Sequence, residues 1–197
     1  MSKGILLSGG MDSISLAYWQ RPDIAITIDY GQAAAATEIR TSTIIAENLG
    51  IAHHIIRIDC SSLGSGDLIN EVAIEESPSS EWWPYRNQLL ITLACMKGIS
   101  LGITELMVAS VKSDGFHTDG TSDFFKHISK LMEYQEGNIR ISCPCINLST
   151  VQLIKISKIP SSLLHWAHSC HTSNIPCGKC RGCNKYGQTL TELYKEE

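Results

Sequence analysis

Ser8-Gly9-Gly10-Met11-Asp12-Ser13 lies between the apolar run Gly4-Ile5-Leu6-Leu7 and a stretch, Asp12 to Gln20, that reads as a helix. Two adjacent glycines let the backbone curl so that successive amide N–H groups face an anion, and the helix that follows adds the partial positive charge of its N-terminus. No Lys-Ser/Thr pair follows the glycines, so this is not a Walker A loop and the usual hold on a β,γ-phosphate is missing. The plain alternative is a tight turn in which Asp12 or Ser13 only caps a helix. The strand before it and the helix after it favour a phosphate loop.

The surrounding segments extend the same alternation. Ile24 to Ile28 is a second β-branched run, as expected of a strand buried on both faces of a parallel sheet. Ala33 to Leu49 predicts a helix stopped by Gly50, and His54 to Ile58 a third strand. Cys60 to Tyr85, rich in Ser, Gly and acidic residues, has no clear period and reads as a long loop that closes over a site. Asn87 to Leu101 predicts a helix, Glu105 to Ser110 a strand, and Asp123 to Gln135 a helix with Phe124, Ile128, Leu131 and Met132 on its core face. Ile139 to Cys143 adds a last strand, and Ser149-Thr150-Val151-Gln152 has capping-box spacing for a helix that runs to Lys158 and ends at Pro160. The fold class is therefore α/β, a doubly wound parallel sheet. Ligands of such sheets gather at the carboxyl ends of the strands, where Ser8 to Ser13, Asp29 to Gln32 and Ser110 to Asp119 are expected.

With 197 residues, 43% of them hydrophobic, the chain can bury one substantial core. We expect a main domain over residues 1–160 and a small extension over 161–197. The formal net charge of -4 gives no general attraction to nucleic acid or acidic membranes, so a small-molecule substrate is expected, with no direct nucleic-acid partner. No stretch is apolar enough to span a bilayer, and the run from Gly4 breaks at Gly9-Gly10 before forming a secretory core. A cytoplasmic enzyme is the expectation.

Four of eight cysteines, Cys170, Cys177, Cys180 and Cys183, fall within fourteen residues as two overlapping C-x-x-C units, with Gly178 and Gly182 permitting tight turns. Four thiolates complete a tetrahedral zinc site, which is then closed and structural. His168 and His171 flank Cys170 as alternative ligands or supporting residues, whereas Cys60, Cys95, Cys143 and Cys145 read as small buried side chains.

The loop Ser-Gly-Gly-Met-Asp-Ser resembles that of the N-type ATP pyrophosphatases, which cleave ATP between the α- and β-phosphates. By that resemblance Ser8, Gly9, Gly10, Asp12 and Ser13 hold the pyrophosphate, with Asp12 close to a required Mg²⁺. Together with the cysteine cluster, Asp29-Tyr30-Gly31-Gln32 and Trp83-Pro84-Tyr85-Arg86-Asn87 make the chain similar, nearly end to end, to the 7-cyano-7-deazaguanine synthase branch. The resemblance implies an ATP-dependent ligase that adenylates the carboxylate of 7-carboxy-7-deazaguanine on the way to queuosine and archaeosine. Asp12, Ser13 and Arg86 are its expected catalytic residues, and Asp29 and Tyr30 join the phosphate loop in binding ATP. Arg86, Asn87, Asp114, Phe116, His117 and Asp119 are the expected substrate contacts, with Phe116 stacking on the base and Asp114 or Asp119 accepting its N–H groups.

The chain departs from the branch at Ser113-Asp114-Gly115-Phe116-His117-Thr118-Asp119-Gly120, at the four alanines after Gln32, and in a shorter first zinc spacer. The adenylate's acceptor stays open between ammonia and an amine of a partner protein, the latter as in antiphage relatives, with the departures leaning toward the protein amine. A homodimer is the assembly considered. The rival readings are a tRNA-thiolating enzyme of the same fold, which needs a cysteine beside the nucleotide, and a nucleotide-binding module without turnover, against which intact Ser8, Asp12, Ser13 and Arg86 stand.

Overall fold

Five short strands rich in β-branched residues form one parallel sheet in the computed structural model, which describes residues 2–195; Met1 and the last two residues of the extension lie outside them. The strands are β1 (Ser2–Leu6), β2 (Ile24–Asp29), β3 (Ala52–Arg57), β4 (Ile103–Met107) and β5 (Arg140–Ser142), in the spatial order β3-β2-β1-β4-β5. Gly4 pairs with Ile24 on one side of β1, and Ile5 pairs with Met107 on the other. The chain winds outward to β3, then crosses back to β4, so the order reverses between β1 and β4. That reversal opens a crevice at the strands' carboxyl ends.

The helices are α1 (Met11–Gln20), α2 (Ala35–Leu49), α3 (Arg86–Ser100), α4 (Ser122–Glu133), α5 (Thr150–Ser157), α6 (Ser161–Leu164) and α7 (Arg181–Tyr194). One face of the sheet buries Ile5 and Leu7 against Ile14, Leu16, Ile45 and Leu153 of α1, α2 and α5. The other buries Ile26, Leu106 and Ile141 against Ile91 of α3 and Phe125 and Ile128 of α4. Each such aliphatic side chain contributes about 1.5–3 kcal/mol by leaving water, so two filled faces hold the strand ends rigidly. The expected capping box is present at α5, where Ser149 Oγ accepts from Gln152 N (3.1 Å) and Gln152 Oε1 from Ser149 N (2.9 Å).

One expected face is corrected. In α4 the buried set is Phe125, Ile128, Ser129 and Met132, while Leu131 is 48% exposed and Phe124 only packs at the margin. Ser129 belongs to the core face because its Oγ accepts from Ile141 N (3.0 Å) and so fastens β5. The long loop from Cys60 to Tyr85 is anchored, since Leu68 and Trp83 are buried and Trp83 meets Tyr30 edge-on, with centroids 4.9 Å apart. The residues after Pro160 pack into the same core: Leu163, Ala167, Tyr186 and Leu193 lie against the first cluster, and His168 N donates to Gly9 O (2.9 Å). Among the described residues no helix is long and apolar enough to cross a membrane.

Candidate active site

A cleft of about 730 Å³ lies at the reversal point, and Ser8, Gly10, Met11, Asp12 and Ser13 line it. Gly9 has φ +78°, and a Cβ there would sit 3.1 Å from Thr41 and 3.2 Å from Glu38 O, so only glycine passes beneath α2. Gly10 is the N-cap of α1 and supplies no side-chain cap, which leaves the helix's first amides directed at the cleft. Ser13 Oγ donates to Gly10 O (3.0 Å) and lies 3.2 Å from Ser8 Oγ, so the two hydroxyls brace the loop.

Asp12 stands in the first turn of α1. Burial raises its carboxyl above the ordinary range, and Lys185 pulls it back. Lys185 Nζ donates to Asp12 Oδ2 (2.9 Å) and to Asp114 Oδ1 (3.3 Å), and although burial opposes its charge, the two carboxylates hold its pKa up. The neighbouring Thr150 hydroxyl also draws the Asp12 pKa down by facing its carboxylate, yet neither Asp12 Oδ1 nor Thr150 Oγ1, both buried, has a partner at full hydrogen-bonding geometry. Orphaned oxygens are what a hard cation uses, so this donor set fits Mg²⁺.

The walls bring together most of the expected substrate residues. Asn87 N donates to Asp119 Oδ2 (3.3 Å) and Asn87 Nδ2 to Asp119 O (2.8 Å), which ties the start of α3 to the loop after β4. Asp119 does not cap α4; Thr121 does, accepting from Phe124 N. Tyr30, Arg86, Asp114 and His117 also line the cleft. Phe116 lies outside the lining, 61% exposed, with the Arg181 guanidinium 5.0 Å from its ring centroid. Asp29 is outside as well, turned into a separate shallow pocket where its Oδ1 accepts from Gly31 N (3.2 Å).

Four lining residues carried no motif in the sequence. Besides Lys185, Glu81 accepts from Arg181 and lies 3.4 Å from His117 Nε2; burial opposes its ionisation, but its own backbone N–H and Arg181 hold it near pKa about 2. Glu38 accepts from Gln32 Nε2 (2.8 Å), and burial pushes its carboxyl up to about 7. Lys185 and Arg181 are four residues apart on α7, hence on one face, and they reach the phosphate floor and the Glu81 wall respectively.

At the head of α7 the four sulfurs of Cys170, Cys177, Cys180 and Cys183 lie within 4.8 Å of one another. Two of the separations are 3.9 and 4.0 Å, close to the edge of about 3.8 Å of a tetrahedron with zinc–sulfur bonds of about 2.3 Å, and far from a disulfide. Backbone N–H groups of His171, Cys177, Cys180 and Cys183 point at these sulfurs at 3.4 Å, as thiolates require. Gly182 is obligatory, since a Cβ would stand 1.8 Å from Ser169 O. The donor set fits zinc, and His168 turns away to Ser173 O (2.9 Å).

A family model for the queuosine biosynthesis protein QueC matches residues 4–194. The chain belongs to the QueC family. It is 28% identical to 7-cyano-7-deazaguanine synthase of Methanosarcina mazei over 95% of this chain and 93% of that protein. It is 27% identical to 7-cyano-7-deazaguanine synthase of Pyrococcus horikoshii over 100% and 96% respectively. Among solved structures, NMN synthetase from Francisella tularensis is 14% identical with a TM-score of 0.47, covering 100% of this chain and 85% of that one, a likeness too slight to carry weight. In this QueC-family chain Cys60, Cys95 and Cys145 are buried, and Cys143 and Cys145 both donate to Ser110 O (3.1 and 3.3 Å). The only cysteine lining the cleft among the described residues is Cys170, a sulfur of the zinc set.

Proposed function

We propose that this protein is an ATP-dependent ligase that makes 7-cyano-7-deazaguanine from 7-carboxy-7-deazaguanine. The observation that carries the reading is the QueC match across residues 4–194, laid over a phosphate loop whose helix N-terminus is uncapped. Among the described residues no cysteine outside the zinc set lines the cleft, as a tRNA-thiolating role would need.

The substrate carboxylate oxygen attacks the α-phosphorus of ATP, the α–β bridging bond breaks, and pyrophosphate leaves. Amides at the start of α1, with Ser8 and Ser13, take up charge on that leaving group. Arg86 presents a planar cationic donor to phosphate or carboxylate, and Asp12 with Thr150 would hold Mg²⁺, which supplies charge neutralisation when bound. Ammonia then attacks the acyl carbon and AMP departs, giving the amide. A second adenylation, on the amide oxygen, followed by loss of AMP and protons, gives the nitrile. Asn87 and Asp119, fixed to each other, form the wall we assign to the base.

The acceptor we infer is ammonia, because the curated relatives are named for the nitrile. Incubation with ATP, Mg²⁺ and 7-carboxy-7-deazaguanine, with and without ammonia, followed by mass spectrometry, tests this. Nitrile, AMP and pyrophosphate are expected. A deazaguanine adduct on a copurified protein, with no nitrile, would replace ammonia by a protein amine.

A further inference from the structure

We propose that Lys185 is an internal cation that occupies Asp12 in the free protein, yields it when a divalent ion arrives with ATP, and moves onto the pyrophosphate. The proposal rests on the adenylation reading of the cleft.

Three observations meet at this side chain. Nζ lies 2.9 Å from Asp12 Oδ2 and 3.3 Å from Asp114 Oδ1, and all three residues line the cleft. The pair is largely withdrawn from solvent, with side-chain exposures of 17% for Asp12 and 34% for Lys185, so bulk water screens it poorly. The other oxygen of the same carboxyl, Asp12 Oδ1, is buried and unpartnered beside the equally unpartnered Thr150 Oγ1. One carboxylate thus carries an ammonium on one oxygen and an open place for a hard cation on the other.

Charge makes these two occupants competitors. An ammonium and a divalent ion on the two oxygens of one carboxylate repel each other strongly. In the free protein Lys185 therefore weakens the hold of Asp12 on metal. When ATP enters, its triphosphate supplies a second destination for the ammonium, and the four methylenes of lysine let Nζ exchange oxygens while its backbone stays fixed. Arginine would form a rigid fork at one place, whereas lysine is a mobile point charge. Its backbone is fixed by the cysteine set, since Cys180 is the N-cap of α7 and Cys183 stands two residues before Lys185.

The reading differs from a static ion pair in what loss of the charge does to metal binding. In zinc-loaded protein without nucleotide, Mn²⁺ titration followed by water-proton relaxation is expected to show weak binding for wild type and Lys185→Arg. Lys185→Met and Lys185→Gln should bind at least about tenfold more tightly, as expected when a contact-distance cation is removed. Gln keeps a donor for Asp12, so the comparison survives even where Met disturbs folding. Unchanged or weaker Mn²⁺ binding in the neutral variant overturns the proposal, whatever the protein does with ATP. At saturating Mg²⁺, ATP–pyrophosphate exchange should fall about tenfold or more in Met and Gln, with partial recovery in Arg. Tighter Mn²⁺ binding with full exchange in the neutral variants would overturn the transfer to pyrophosphate, and a wild type that never exchanges would refute the adenylation reading instead.

Discussion

Glu38→Gln is expected to stabilise the protein at pH 8 and to leave it nearly unchanged at pH 4.5. Burial lifts the Glu38 carboxyl from an ordinary 4.5 to about 7, against the pull of Gln32 and Arg86. The folded value lies above the unfolded one, so the folded chain binds the extra proton across that interval. Stability from the protonated carboxyl is present below pH 4.5 and lost as the pH rises through 7. The whole interval corresponds to about 3 kcal/mol. Glu38 is only half-buried and faces an open cleft, so solvent reduces this to about 1–2 kcal/mol. Glutamine has the same shape, accepts the Gln32 bond through its amide oxygen, and carries no charge to desolvate. Urea unfolding of both proteins at the two pH values gives the difference directly. A stabilisation equal at both would refute the reasoning, and a mutant less stable at pH 8 than at pH 4.5, relative to wild type, would mean that the fold favours the ionised form.

Purified protein should carry one tightly held zinc, and Cys180→Ala should lose it and melt the extension, since structural zinc contributes about 10 kcal/mol apparent in small sites; metal analysis without zinc would rule this out. Asp12→Ala should cut pyrophosphate exchange on the order of a hundredfold with circular dichroism unchanged, and ADP instead of AMP as the product would remove the adenylation mechanism. Asp119→Asn should lower exchange driven by 7-carboxy-7-deazaguanine, whereas Phe116→Ala, whose ring lies outside the cleft, should leave it near the wild-type level. Wild-type exchange in Asp119→Asn would mean that the loop after β4 does not read the base.

How much was legible depended on whether a residue's role was local. The strands, the α5 capping box and the phosphate loop depend on neighbours within a few positions, and they appear at or within two or three residues of the expected bounds. The C-x-x-C units are equally local, and their sulfurs converge as the spacing predicts. The core face of α4 was misread because Ser129, polar by type, sits at a core position to hold Ile141 N, so the hydrophobic pattern shifted onto Leu131. Glu38, Glu81, Arg181 and Lys185 were not legible, since single charged residues acquire meaning only from partners supplied by other segments. Glu81 meets Arg181 across 100 positions of sequence. The one available signal was weak: two basic residues spaced four apart beside the last cysteines, a helix face pointing one way.

Asp12 and Lys185 are 173 positions apart, and Gly9 O receives its bond from His168. During synthesis, at about 5–20 residues per second, the phosphate loop therefore waits roughly 10–30 s for the segment that completes it. A ribosome-bound chain that has emitted the whole sheet still lacks the lysine, the arginine and the thiolates that fix both. The cleft described above is therefore complete only after α7 has left the ribosome and the four cysteines before and within it have converged.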